Sequence, residues 1–279
     1  MVPTMELDEF LRRRREEVEW LTANGFDNGD PETNGEYRTV EHLAPFCDVF
    51  IDVGANVGQF CDRVLAAGRG QHILAFEPNP ELLPALQAKL EGRGTAHQVA
   101  LSDTPGTASF QIHPRDSTAS SLFHRTEMMP SFSNAMRAIE VPVATLDQYV
   151  PAIQPHVHER GLMLKVDTEG AELAVIRGAV ELVRLPCPQF IMFEYSFGWT
   201  ESRQTLKDAF HLLDASGFSM YRVLPLGVEQ IKFYFEPTMG NARYCNYLAV
   251  KGFDLGRAFA PSRPIVSASG AASLFPFNG

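Results

Sequence analysis

Residues 47–68 constrain this chain more than any other stretch. The apolar run Val49-Phe50-Ile51 ends in Asp52, small residues follow at Gly54, Ala55 and Gly58, and a helical pattern from Gln59 to Ala67 is closed by Gly68. This is the pattern of a buried parallel strand, a tight turn and a helix. Such a unit brings a ligand close to the backbone and aims the free N–H groups of a new helix at it. The dinucleotide fingerprint needs glycine at relative positions one, three and six. Counted from Gly54, those positions hold Gly54, Asn56 and Gln59, so two of the three fail. What remains is Asp-x-Gly-x-Asn-x-Gly, a loop suited to a nucleoside ligand without a pyrophosphate.

The next strand narrows the ligand. His72-Ile73-Leu74-Ala75-Phe76 ends in Glu77, and Pro78-Asn79-Pro80-Glu81 is expected to start a helix. An acidic residue at that strand tip, about 20 residues past the glycine turn, is placed to accept hydrogen bonds from a ribose diol. S-adenosylmethionine fits both halves, with its ribose on Glu77 and its amino-acid end at the turn. Carboxylates at strand ends suit its ammonium and sulfonium charges.

Further strand candidates lie at 95–101, 107–112, 139–145, 162–167, 190–194, 220–224 and 247–250, with helices expected over 171–185 and 204–216. Strands alternating with helices predict a mostly parallel sheet covered on both faces. Ligands collect at the carboxyl ends of such strands. Those ends carry Asp52, Glu77, Ser102-Asp103, Asp167-Thr168-Glu169 and Glu194. Unpaired buried carboxylates are costly, so this many strand-end acids point to a site as well as to packing. Lys165 shares a strand face with Asp167 and needs a charged partner, for which Asp167 and Glu194 are the candidates. A divalent cation on Asp167, Glu169, Glu172 and Glu194 is the less favoured reading, because no histidine stands at ligand spacing; no metal is expected.

Charge and cysteines bound the rest. The 279 residues contain 24 Lys and Arg against 34 Asp and Glu, a net charge of −10, which disfavours nucleic acid as a partner. The run Arg12–Arg15 is followed by Glu16-Glu17 and reads as the solvated face of an amphipathic helix over about 6–23. Four scattered cysteines without a C-x-x-C pair predict a reducing compartment. No signal pattern opens the chain and no apolar run suits a membrane span, so a cytoplasmic protein off the membrane is expected.

Several of these stretches together resemble the FkbM-type methyltransferases. Phe50-Ile51-Asp52-Val53-Gly54-Ala55-Asn56-Val57-Gly58 looks like their first motif and Phe76-Glu77-Pro78 like their second. Ala100-Leu101-Ser102-Asp103 with Gly106, then Thr145-Leu146-Asp147, match later ones. Lys165-Val166-Asp167-Thr168-Glu169-Gly170-Ala171-Glu172 resembles Lys-x-Asp-x-Glu-Gly-x-Glu, with Thr168 where a small aliphatic is usual. The resemblance covers about 36–195. It implies an α/β, Rossmann-like class I methyltransferase fold with a seven-stranded, mostly parallel sheet and helices on both faces. It also implies S-adenosyl-L-methionine as cofactor and O-methylation of a small molecule, sugar or natural-product hydroxyl. Carried over by position, the cofactor contacts fall on Glu36, Asp52, Gly54, Asn56, Gly58, Glu77, Pro78, Ser102 and Asp103. Asp167 and Glu169 are the first candidates for a base, supported by Glu194 and Lys165, with His124 of the expected lid as a further candidate. The expected organisation is a helix and turn-rich arm over 1–35, one catalytic domain over 36–253 and a flexible tail over 254–279. A tail packed on a partner would allow for a homodimer. The competing functional reading is a non-catalytic S-adenosylmethionine-binding sensor or scaffold. A nicotinamide oxidoreductase ranks below both because of the failed glycine count.

Overall fold

The structure, a computed structural model, describes residues 27–67, 70–114, 117, 120–123, 136–234, 244–267 and 270–278, together with Arg12, Glu16 and Glu19. Those last three are helical, and Arg12 pairs with Glu16 at 2.6 Å. In chain order the elements begin with α1 (Glu36–Leu43), β1 (Cys47–Val53), α2 (Gln59–Ala66), β2 (His72–Phe76), α3 (Leu83–Leu90) and β3 (Gly94–His97). The short strand β4 (Ala100–Leu101) and two longer ones, β5 (Gly106–Ile112) and β6 (Arg137–Ala144), follow, then α4 (Val150–Ile153), β7 (Gly161–Val166), α5 (Glu172–Arg177) and β8 (Gln189–Tyr195). The remainder comprises α6 (Gly198–Glu201), α7 (Leu206–Ala215), β9 (Ser219–Leu224), β10 (Gly227–Ile231), β11 (Cys245–Lys251), β12 (Arg263–Ser267) and β13 (Gly270–Pro276).

The main sheet runs β12-β13-β10-β9-β11-β8-β7-β1-β2-β3. From β3 to β8 all neighbours are parallel, and β11 is antiparallel to both β8 and β9. The seven strands from β3 to β9 are the class I methyltransferase core, so the expected fold class holds. The expected strand number does not, since β10, β13 and β12 extend the sheet to ten strands. The stretch 254–279, expected as a flexible tail, contributes two of those three. Its β13 pairs with β10, placing Leu274 opposite Glu229 and Phe275 opposite Val228, and Phe275 packs edge-on against Tyr221 at 5.9 Å.

Local patterns explain most element boundaries, and the departures have physical causes. The strand expected over 95–101 splits. Val99 N–H turns back to the His97 carbonyl at 3.1 Å, sending β3 into the main sheet and β4 into a three-stranded sheet ordered β4-β6-β5. The helix expected over 171–185 stops at Arg177. Gly178 caps it and lies so close to the Ser102 carbonyl that a Cβ would overlap it. Pro78 to Glu81 form no helix; α3 starts at Leu83, with Pro84 in its first turn.

Each face of the main sheet carries its own core. Val49, Ile51 and Val53 point to one side with Leu164, Ile191, Trp199 and Phe210, whereas Phe50 points to the other with Val40, Leu43, Phe60 and Val64. Each fully buried aliphatic or aromatic side chain contributes about 1.5–3 kcal/mol to holding the layers together. Chain order reverses between β1 and β7, since β2 and β3 lie to one side and β8 to the other. A crevice is expected at the carboxyl ends of that pair. Among the described residues no helix is long and apolar enough to cross a membrane.

The opposite end of this strand pair is fastened by Asp48. Its buried carboxylate accepts from the backbone of His158 at 3.0 Å and Arg160 at 2.9 Å, and from the Arg160 Nε at 2.7 Å. Removing it takes the acceptor from two backbone amides and from the Arg160 Nε, so Asp48→Ala is expected to lose about 2–3 kcal/mol of stability. Chemical denaturation measures this, while affinity for ligands at the far end of the strands should stay within twofold of normal.

Candidate active site

The turn after β1 is built for close approach. Gly54 adopts φ +82°, and both Gly54 and Ala55 N–H donate to the Phe76 carbonyl at 3.0 and 3.1 Å. Asn56 follows in the left-handed region at φ +51°, a conformation that asparagine tolerates better than most residues. Gly58 caps α2 at φ +78°. A Cβ at Gly54 would strike the Asp167 carbonyl, so this glycine is required by the β1–β7 crossing itself as well as by any ligand.

Glu77, at the tip of β2, closes the far side of this turn. One carboxylate oxygen accepts from Asn56 N–H at 2.8 Å and the other from Asn79 N–H at 2.8 Å. The two amides favour the charged form, but burial outweighs them and pushes the carboxyl up to about 7. The side chain is therefore preorganised, with acceptor capacity left on both oxygens.

A cavity of about 350 Å³ opens at the carboxyl ends of β1, β2, β7 and β8. Its wall includes Glu36, Gly54, Asn56, Glu77 and Pro78 from the expected cofactor set, and Lys165, Asp167, Glu169 and Glu194 from the expected catalytic set. Four expected cofactor residues lie outside that wall. Asp52 is fully buried behind the turn and accepts the Cys61 thiol at 3.2 Å; burial raises its carboxyl above the ordinary range. Gly58 sits under the side chains of Leu86 and Lys89. Ser102 is half-buried and Asp103 exposed, beyond the end of β4. His124 lies outside the described residues.

Lys165 organises the acidic floor. Its ammonium reaches Asp167 at 3.0 Å and Glu36 at 3.8 Å, and lies 5.3 Å from the centre of the Phe60 ring. Burial opposes this charge, but Asp167, Glu36 and Asp52 together outweigh it and hold the lysine protonated. Glu36 arrives from α1, where Asn246 of β11 donates to its carboxylate at 3.2 Å; burial pushes it up to about 7. Glu194, expected as a partner of Lys165, instead meets Tyr244, whose phenol hydrogen-bonds to it. Carboxylate oxygens of Asp167, Glu169 and Glu194 lie within 4.8 Å of one another. Burial, then the charges of Asp167, Glu169 and Glu172, raise the Glu194 carboxyl well above the ordinary range.

The loop that presents Asp167 and Glu169 is held from below by Glu172. Its carboxylate accepts from Thr168 N–H at 2.8 Å, the Thr168 hydroxyl at 2.9 Å and Gly170 N–H at 3.0 Å. Thr168, which departs from the family pattern, thus supplies an extra donor. Glu169 takes φ +59°, and its carbonyl accepts the hydroxyl of fully buried Ser121 at 2.9 Å. Ser121 bridges to Gln111 of β5, which ties the segment above the cavity to the loop carrying Asp167 and Glu169. Tyr37, Phe110, Leu122 and Tyr244 also wall the cavity and were not anticipated. They are ordinary apolar or aromatic positions whose sequence context carries no distinguishing pattern.

A family model described as the methyltransferase FkbM domain matches residues 52–220. Methyltransferase 1 of Beauveria bassiana (strain ARSEF 2860) is 29% identical over 156 residues, 49% of this chain and 61% of that protein. The 31-O-demethyl-FK506 methyltransferase FkbM of Streptomyces tacrolimicus is 29% identical over 154 residues, 47% of this chain and 59% of that protein. The match spans less than two thirds of either relative. Among solved structures, the O-methyltransferase from Bacillus cereus in complex with SAH is 10% identical with a TM-score of 0.43, covering 90% of this chain and 92% of that one.

Proposed function

We propose that this chain, which belongs to the methyltransferase FkbM domain family, uses S-adenosylmethionine to methylate a hydroxyl of a small molecule, sugar or natural product. The observation that carries this reading is one cavity holding both a preorganised diol acceptor, Glu77, and a group of strand-end carboxylates, Asp167, Glu169 and Glu194. The residues present fit the cofactor. Glu77 offers unused lone pairs at a buried strand tip, and the Gly54 turn keeps side chains out of the approach. Glu36, Gly54, Asn56, Glu77 and Pro78 would hold the cofactor, while Asp52, Gly58, Ser102 and Asp103 support it from behind or beside the wall. When bound, S-adenosylmethionine supplies a methyl group made electrophilic by its sulfonium.

An alcohol is a poor nucleophile until its proton leaves, and a positioned base removes that proton as the oxygen attacks. Asp167 and Glu169 face the cavity for that role, with Glu194 beside them and Lys165 fixing the Asp167 carboxylate. Alignment in a walled cavity and exclusion of water supply much of the remaining acceleration. A purely binding protein would not need a loop that holds two carboxylates beside a third, which favours the enzyme over the sensor reading.

The test has two arms. Glu77→Ala removes the ribose acceptor and also frees the Asn56 and Asn79 amides. Affinity for S-adenosylhomocysteine should therefore fall by roughly 10- to 100-fold, read by calorimetry on a folded variant. Transfer of label from methyl-labelled cofactor to alcohol acceptors, against matched amine and thiol analogues, then tests the hydroxyl. Transfer confined to amines or thiols would sink O-methylation while leaving the cofactor assignment intact.

A further inference from the structure

We propose that Tyr244 is a positioning residue that fixes the Glu194 carboxyl beside Asp167 and Glu169, and so sets how strongly the site prefers the sulfonium cofactor over its neutral thioether product. The inference rests on the reading above that this cavity binds S-adenosylmethionine. Tyr244 immediately precedes β11, far outside the stretches that resemble the family. Its side chain enters the cavity wall, and its backbone carbonyl is anchored by Asp27 N–H at 2.9 Å. Its phenol bonds to Glu194, the last acidic residue of β8, which stands opposite Asn246 in the β8–β11 register.

The chemistry follows from charge count. Glu194 has a carboxylate oxygen within 4.8 Å of those of Asp167 and Glu169, and like charge so close disfavours its ionisation. Lys165 serves Asp167 and Glu36 from below, leaving Glu194 facing Asp167, Glu169, the Glu172 carboxylate of α5 and the Tyr244 hydroxyl. A sulfonium brought into the cavity supplies a positive charge that favours ionised Glu194. The thioether left after methyl transfer supplies none. The Tyr244 phenol also favours the ionised form, acting against burial and the neighbouring acids. Tyrosine and product release are thereby linked. Once the methyl group has left, the repulsion within the carboxyl group returns, and the product is held less tightly than the substrate cofactor.

Calorimetric titration of the intact protein with S-adenosylmethionine and, separately, S-adenosylhomocysteine, carried upward in pH from the ordinary carboxylate range for as long as the protein stays folded, tests this without an acceptor. The two ligands share the ribose contact, so titration of Glu77 cancels in the ratio of their affinities. That ratio should rise by roughly tenfold with pH as Glu194 ionises, because the cation binds the charged form better. Tyr244→Phe keeps the ring and removes a hydrogen bond to the carboxylate, so the rise should move to higher pH by about one unit. Glu194→Gln should flatten the ratio. An unchanged curve in folded Tyr244→Phe overturns the proposal. So does a pH-dependent rise that persists in Glu194→Gln, whichever way the tyrosine variant behaves. Failure of the wild-type protein to bind either ligand would instead overturn the cofactor reading.

Discussion

Asp167→Asn and Glu169→Gln are expected to separate cofactor binding from chemistry. If one of these carboxylates takes the acceptor proton, its amide should lower the single-turnover rate by about 10²- to 10⁴-fold, the usual contribution of a positioned base. Affinity for S-adenosylhomocysteine should change little, because the proposed ribose acceptor is Glu77 and neither residue bonds to it. The two variants differ in their side effects. Asp167 holds Lys165 at 3.0 Å, so the asparagine leaves a buried ammonium whose nearest carboxylate is Glu36 at 3.8 Å. Some loss of stability should accompany that variant, since breaking one partner of a buried pair leaves an uncompensated charge. Glu169 is not paired with Lys165, so its amide leaves the contacts of that ammonium in place. Chelator should leave the wild-type rate intact. Near-normal rates for both amides would move the proton-accepting role to Glu194 or to His124.

Gly54→Val should be still more damaging, and for a structural reason. A Cβ at this position meets the Asp167 carbonyl and the neighbouring peptide, backbone atoms that cannot step aside without parting β1 from β7. The residue also occupies φ +82°, which a β-branched side chain resists. Backbone strain and steric overlap at the centre of the sheet are expected to cost several kcal/mol, enough to leave little folded protein. Thermal melting measured beside Glu77→Ala makes the distinction. A cooperative melt near the wild-type temperature would show that the strand pair tolerates the side chain. The glycine would then matter to the ligand alone.

The features legible in the chain were those written in local pattern. Apolar runs of strand length bounded by Gly, Pro and Asn marked β1, β2, β7 and β8, and the Gly54 turn with Glu77 located the cavity before any contact was known. Side-chain alternation put Lys165 and Asp167 on one face, and they do pair. Patterns of this kind survive without coordinates because strand period, turn conformation and helix start depend only on residues within a few positions of each other. The same locality explains the misplaced boundaries. Whether 95–101 is one strand or two depends on a second sheet formed with β6, whose residues lie about forty positions away.

What each acid does was decided only by the tertiary structure. Asp52, Glu77, Glu172 and Glu194 look alike as strand-end or loop carboxylates. Packing turns Asp52 inward to a thiol, employs Glu172 as a clamp on the loop backbone, and leaves Glu77 and Glu194 on the cavity wall. Lys165 finds Glu36 because α1 docks against β9 and extends the Glu36 side chain toward β7 and β11, and Asn246 reaches that same glutamate across 210 positions. Tyr244 and the strands of the former tail became visible in the same way, through register with β8 and β10. A short window encodes backbone preference and apolar period; the partner of a buried charge is chosen by which distant segment the sheet brings within about 3–4 Å, and desolvation then makes that choice decisive.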